Sequence, residues 1–297
     1  MKILCIGHSA YDITLKLNSY PIENKKIRLQ EKTVECGGGP AANSAYLLSK
    51  WGVPTSFCGV IGKDYYGEKV KKEFISVGVD LKYLQERDDI YTTCSYIVAN
   101  LENGSRTILT NKDPNNKLKD MEIKEDFDYL LIDGDEYETS LAYLKNHQGI
   151  SMIDAGKCTN EVITLARLVN YLVCSNDFAR DYTGLTLDYN DFNSIKKVYD
   201  KLALDFKNQI IIITLERMGS FTKINNEYKL IPGIKVKALD STGAGDIYHA
   251  SLLYFISHGY DLLDAMKFAN IASGLSVLKI GGRYSIPSLE DVIYYVK

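Results

Sequence analysis

Short runs of β-branched and other apolar residues alternate along this chain with stretches whose apolar residues recur at helical spacing, and that rhythm leaves few folds open. Strand patterns cover residues 2–6, 55–60, 129–132, 149–153, 171–174 and 209–215. Helical patterns cover 40–51, 66–77, 159–170, 191–205, 245–258 and 262–278. Within the last strand pattern Ile210, Ile211, Ile212 and Ile213 are consecutive, so both faces of that strand are apolar and both need cover. Helices above and below a mostly parallel sheet supply it, which makes the expected fold class α/β.

Two pairs of segments break the rhythm. Residues 12–17 with 26–36, and 91–99 with 106–110, alternate polar with apolar at period two and contain turn residues such as Asn103-Gly104. They predict a small separate sheet, a lid formed by about 12–36 and 91–110. No repeat, low-complexity tract or Pro/Gly/Ser linker divides the chain, so 1–297 reads as a single domain carrying that lid. A domain without the lid is the alternative.

With 297 residues, 45% of them hydrophobic, the chain can bury a large core. Its net charge of −3 lacks the basic excess of a phosphate-tracking protein, so no nucleic-acid partner is expected. The short apolar run at the N-terminus is broken by Gly7, His8 and Ser9, and no stretch approaches ~18 apolar residues. The expectation is a soluble, cytoplasmic protein with no membrane partner. Six cysteines without a C-x-x-C pair, and only four histidines, favour reduced, buried thiols over a zinc site.

Chemistry concentrates in Asp240-Ser241-Thr242-Gly243-Ala244-Gly245-Asp246, which precedes a helical pattern. Small residues at a helix start leave several amides unpaired and uncrowded, and the helix dipole adds positive character there. An oxyanion fits such an end, and Asp246 beside it can take the proton of an attacking hydroxyl. Taken alone, Gly-Ala-Gly-Asp is equally well a tight loop with a dipole-complementing carboxylate.

The heptapeptide resembles the C-terminal signature of the PfkB (ribokinase-like) carbohydrate kinases. Gly37-Gly38-Gly39-Pro40-Ala41-Ala42-Asn43 resembles their N-terminal signature, and Asp12 matches the aspartate with which many members grip a sugar. The resemblance spans essentially the whole chain and is weakest between residues 118 and 220. Residues 20–36 and 102–108 are most similar to the ketohexokinase- and fructokinase-like branches.

The resemblance implies a ribokinase-like three-layer α/β/α domain that moves the γ-phosphate of ATP, with Mg2+, to a hydroxyl of a monosaccharide. A primary hydroxymethyl of fructose, ribose or a related sugar is the implied acceptor, and a monovalent cation such as K+ is an admissible cofactor. It also implies Asp246 as the base, with the Gly243, Ala244 and Gly245 segment as anion hole. Asp12, Gly38, Gly39 and Asn43 would bind the sugar. Arg106, Thr214, Glu216, Gly219, Gly243, Gly245, Asn270 and Ser273 would face the nucleotide, and the lid would offer a homodimer contact.

Two departures stand out. The Asn-x-x-Glu motif that organises magnesium in many relatives falls on Asn176-Asp177-Phe178-Ala179, with no glutamate at its end, so no metal ligand is assigned. Pro40 stands where ketohexokinase-like members carry an asparagine, which weakens a claim for fructose.

Other readings remain open at this point. A nucleoside kinase of the same family would place aromatic residues such as Tyr11, Phe57 or Tyr96 around the acceptor. A noncatalytic sugar-binding protein on the kinase fold would bind without turnover. A dinucleotide oxidoreductase is disfavoured because residues 7–11 lack G-x-G-x-x-G.

Overall fold

A computed structural model describes residues 1–29, 31–207 and 209–295. Its strands are β1 (Ile3–Ile6), β2 (Ala10–Leu17), β3 (Val34–Gly38), β4 (Thr55–Gly62), β5 (Asp80–Arg87), β6 (Cys94–Asn100), β7 (Arg106–Asn111), β8 (Tyr129–Ile132), β9 (Ile150–Ala155), β10 (Tyr171–Ser175), β11 (Ile210–Thr214), β12 (Ser220–Ile224) and β13 (Glu227–Ile231). Its helices are α1 (Pro40–Lys50), α2 (Tyr65–Val77), α3 (Tyr137–Leu144), α4 (Asn160–Ala166), α5 (Asn176–Thr183), α6 (Phe192–Asp205), α7 (Ala244–Ser257), α8 (Leu262–Ser276) and α9 (Leu289–Tyr294).

Nine strands form one sheet in the order β13-β12-β11-β10-β9-β8-β1-β4-β5, parallel except for β12 and β13 at one edge. Successive residues of each central strand enter opposite layers, as the pleat demands. Ile3, Cys5, Val173 and Ile212 meet side chains of α1, α2, α7 and α8, whereas Leu4, Ile6, Leu172, Ile211 and Ile213 meet α4, α5 and α6. This is the three-layer arrangement that the doubly apolar strands required.

The chain runs outward from β1 to β4 and β5, then returns to place β8 on the other side of β1. Strand order therefore reverses between β1 and β8, and crevices at the carboxyl ends of such a pair are where open α/β sheets bind ligands.

A second sheet has the order β3-β2-β6-β7, with β2 and β6 parallel between two antiparallel pairings. Its segments are those expected of the lid, with one difference. The strand anticipated at 26–36 forms only from Val34, where pairing with Thr14 begins, while residues 26–29 are exposed and unpaired and Gln30 lies outside the described residues. Lys26 and Arg28 stay in water, so the alternation there marks a solvated connection.

Helix ends depart from the sequence reading by several residues. Thr159 caps α4 by accepting from the Val162 amide, yet the helix stops at Ala166 rather than 170, because Asn170 hydrogen-bonds Ser151 and starts the next strand. Strand β5, the β12–β13 hairpin and helices α3, α5 and α9 have no counterpart in the periodicity. Strand β5 carries Asp80, Lys82, Glu86 and Arg87, a polar pattern suited to a sheet edge.

Candidate active site

Helix α7 begins at a loop held from behind. Asp240, 1% exposed, accepts from the Thr242 amide at 2.9 Å and the Thr242 hydroxyl at 2.6 Å through one oxygen, and from the Gly281 amide at 2.9 Å through the other. These bonds tie residues 241–243 to the closing loop at 281–283. Gly243 caps the helix with φ of 76°, a left-handed conformation that strains any residue bearing a Cβ. Among the described residues, the amides of Gly243, Gly245 and Asp246 donate to no protein acceptor, while Ala244 turns back to Ser241. Three free donors at the positive end of a 14-residue helix form a seat for an anion.

Asp246 lies in the first turn of α7, half-buried. The Asn43 amide nitrogen donates to its Oδ2 at 2.7 Å. Asn43 comes from the first turn of α1, which opens with Pro40 after Gly39. Gly39 has φ of 95° and lies so close to the His8 carbonyl that a side chain would not fit. Two helix starts, α1 and α7, thereby meet at the carboxyl end of β1.

Asp12 on β2 faces the same space. A Cβ on Gly38 would stand 2.6 Å from Asp12 Oδ1 and nearer still to Oδ2. Burial pushes the Asp12 carboxyl up to about 6, the Asp246 charge adds to the effect, and Arg283 and His8 oppose it. Asp12, Gly38, Gly39, Asn43 and Asp246 thus come together from positions more than 200 residues apart in the chain.

A group that the sequence reading missed closes the other side. Asp133, following β8, accepts from the His8 amide at 2.8 Å and the Ala41 amide at 3.1 Å. Asp135 lies 3.0 Å from His8 Nδ1 and 2.5 Å from Lys112 Nζ; burial raises its carboxyl, but these two partners outweigh it and hold the group below the ordinary range, whereas burial raises that of Asp133. Below α7, Asp154 at the end of β9 lies 3.3 Å from His249 Nδ1, and burial pushes the Asp154 carboxyl up to about 6. Acidic residues just past a strand were the available sequence signal. Nothing in it distinguished them from turn residues.

The Arg106 guanidinium on β7 donates to the Ser241 hydroxyl at 2.7 Å, which brings the second sheet to the glycine loop. Thr214 ends β11, and Glu216 follows in an exposed turn with φ of 51°. Gly219 has φ of 100° and packs against the Ile231 carbonyl, so it shapes the β12–β13 hairpin. Asn270 is buried, and its amide donates to Ser220 Oγ and the Ile231 carbonyl. Ser273 donates to the Ala244 carbonyl at 2.8 Å. Asn270 and Ser273 therefore brace the β12–β13 hairpin and the start of α7. Ala179, fully buried, occupies the position where a glutamate was sought, and Asp177 is ion-paired with Arg180 at 2.8 Å.

A family model described as pfkB family carbohydrate kinase matches residues 1–289. The chain belongs to this family. As a pfkB carbohydrate kinase it is a phosphotransferase acting on an alcohol group. Among its relatives, the ribokinase of Staphylococcus aureus (strain COL) is 25% identical over 98% of each chain. A nucleoside kinase of Methanothermobacter thermautotrophicus is 21% identical over 98% of this chain and 94% of its own. The fold matches that of Arabidopsis thaliana ribokinase complexed with ribose and ATP, with a TM-score of 0.80, 22% identity and coverage of 100% of this chain and 98% of the other. The pfkB chain described here is accordingly a sugar or nucleoside kinase. Among its described residues no helix is long and apolar enough to cross a membrane.

Proposed function

We propose that this protein transfers the γ-phosphate of ATP to a hydroxymethyl group of a monosaccharide such as ribose or fructose. The observation that carries the reading is the Asp246 carboxylate beside three unpaired amides at the start of α7, close enough to Asp12 for the two charges to interact. Asp12, Gly38, Gly39 and Asn43 hold the sugar. Asp246 takes the proton of the attacking hydroxyl as the new P–O bond forms, and the free amides of Gly243, Gly245 and Asp246 stabilise charge on the transferring group, whereas the Ala244 amide, expected to join them, is spent on the Ser241 carbonyl. Arg106, Thr214, Glu216 and Gly219 lie along the nucleotide's path, with Asn270 and Ser273 supporting them.

The side chains do not fit a protein-held magnesium: Ala179 offers no ligand and Asp177 is already paired with Arg180. If magnesium takes part, the nucleotide phosphates and water would supply its ligands and this chain's side chains would not. Asp240 has no salt-bridge partner among the described residues; the Thr242 and Gly281 donors answer its buried carboxyl, and K+ stays a cofactor admitted by the family resemblance alone.

A bare sugar is favoured over a nucleoside because two of the three aromatic residues named for a base, Tyr11 and Phe57, are taken up by packing, which leaves only the exposed Tyr96. Phe57 stacks on Phe74 at 4.9 Å and Tyr11 on Tyr66 at 5.1 Å. The second sheet is read as a lid that shuts water out. Unchanged hydrogen exchange in residues 12–36 and 91–110 on sugar binding would remove that role. Its outer strand β7 is exposed along its whole length, Leu109 by 58%, and supports a homodimer through the lid. A monomer by light scattering would exclude it.

The decisive experiment measures ADP release with Mg-ATP against ribose, fructose, related sugars, sugar phosphates and adenosine, beside Asp246→Asn. Acceptor-dependent turnover that falls by about 100-fold or more in the variant is expected. Full turnover in the variant removes Asp246 as base, adenosine as sole acceptor selects the nucleoside reading, and sugar binding without turnover selects the noncatalytic one.

A further inference from the structure

Arg283 is among the largest fully buried side chains of the protein, although it lies only four residues before the loop meets Pro287 and carries a full charge. A guanidinium so placed needs its charge and its donors answered; Nε and Nη1 find partners, whereas Nη2 donates to no acceptor among the described residues. Nη1 donates to Glu73 Oε2 at 3.0 Å, and Nε donates to Asn43 Oδ1 at 3.2 Å. Its plane rests over the rings of Phe74, at 4.5 Å, and Tyr46, at 5.2 Å. Glu73 also accepts from the Gly37 amide at 2.9 Å. Gly37 has no room for a Cβ because the guanidinium occupies that place.

A buried ion pair contributes little to stability compared with an apolar replacement, so its presence points to another task. The task is visible in what lies next. With Oδ1 of Asn43 accepting from Arg283, the Asn43 amide nitrogen is turned toward Asp246 Oδ2, at 2.7 Å. The opposite amide orientation would set oxygen against carboxylate and nitrogen against guanidinium, two repulsive contacts in one buried place. Glu73 on α2, Arg283 in the closing loop, Asn43 on α1 and Asp246 on α7 thus form one continuous relay.

We propose that Arg283 is a positioning residue for phosphoryl transfer. Anchored by Glu73, it fixes the sense of the Asn43 amide, which holds one oxygen of Asp246 and leaves the other for the acceptor hydroxyl. This rests on the reading of Asp246 as the base. It also assigns Gly37 a different reason for being glycine from that of Gly38: the first makes way for the arginine, the second for Asp12.

The test is a double-mutant cycle in the full chain, with kcat and KM measured for Mg-ATP and the acceptor found above. Arg283→Met is expected to lower kcat about 10- to 100-fold, with both KM values within about threefold, because a small misorientation of the base acts on chemistry rather than binding. Arg283→Lys keeps the charge but loses the fork, and is expected not to restore kcat. In an Asn43→Ala background Arg283→Met is expected to cost less than about threefold more, since the relay is already cut. Losses that multiply, a change confined to KM, or full activity in Arg283→Lys would each overturn the proposal.

Should Arg283→Met lack a cooperative thermal transition, Glu73→Gln, which removes the anchoring charge but keeps an acceptor for the Arg283 and Gly37 donors, enters the same cycle. It is expected to lower kcat alone and to be silent with Asn43→Ala, and a multiplying loss overturns the proposal in the same way. Asp246→Asn separates the two levels. Full turnover there ends the base reading itself, whereas lost turnover there with multiplying losses at Arg283 and Asn43 ends only the positioning role.

Discussion

Replacing Gly38 with alanine would add one methyl group against the Asp12 carboxylate, whose Oδ1 would lie 2.6 Å away with the rest of the carboxylate nearer. Ordinary carbon–oxygen contact needs about 1 Å more than that. Gly38 lies in an extended strand with no left-handed backbone requirement, so the alanine itself introduces no backbone strain. What yields is the end of a short side chain, and the overpacking costs about 1–3 kcal/mol at most. For a chain of this size that corresponds to a fall of a few degrees in Tm. The functional consequence is larger. If Asp12 grips the acceptor, a displacement near 1 Å lowers acceptor kcat/KM about 100-fold while leaving KM for ATP within about threefold. Steady-state kinetics with each substrate varied, beside differential scanning calorimetry, reads both effects. An acceptor kcat/KM within threefold of wild type would refute the placement of the sugar against Asp12. A collapse of Tm would show instead that the Gly38–Asp12 contact is structural.

Two further outcomes follow from the same geometry. Burial pushes the carboxyls of Asp12 and Asp154 up to about 6 and that of Glu136 up to about 7. A folded-state value above the unfolded one means that the folded chain holds more protons between about pH 4 and 7, so stability falls as pH rises through that window. His147, held low by burial, works the other way but is a single group; carboxyls held low by their partners, such as Asp135 and Asp89, do so as well, but mainly below about pH 5, outside the range compared. The ligand-free protein is therefore expected to have a higher urea midpoint at pH 5.5 than at pH 8, and the reverse order would contradict the burial of these carboxyls. Arg106→Ala removes an exposed side chain that donates to Ser241, so it is expected to raise KM for ATP about tenfold and move Tm by no more than 1–2 °C. An unchanged KM for ATP would take Arg106 out of the nucleotide site.

Periodicity was enough to recover the parallel strands, since β1, β8, β10 and β11 are short apolar runs whose alternate residues enter two layers. It was also enough for the period-two segments that pair into the second sheet. It failed for β5, whose polar residues suit an edge, and for the β12–β13 hairpin, where Asn225 and Asn226 at positive φ form a two-residue turn between runs too short to stand out. Asp246 and Asn43 stood out in sequence because each follows a run of small residues at a helix start, whereas Asp12, an aspartate just after a strand, stood out only through the family resemblance. Gly219 shows the limit of that approach: its glycine answers the close Ile231 carbonyl.

The chain alone therefore determined an α/β sheet covered on both faces, a glycine-lined helix start and a carboxylate beside it, since each depends on neighbours a few residues away. Tertiary structure alone decided which side chains answer one another. Arg283 and Asn43 are 240 residues apart, Asp154 and His249 meet beneath α7, and His8 meets Asp135 only because β8 returns beside β1. A buried charge is tolerated only where the fold brings it a partner, and that partner is set by strand order and helix packing rather than by spacing along the chain.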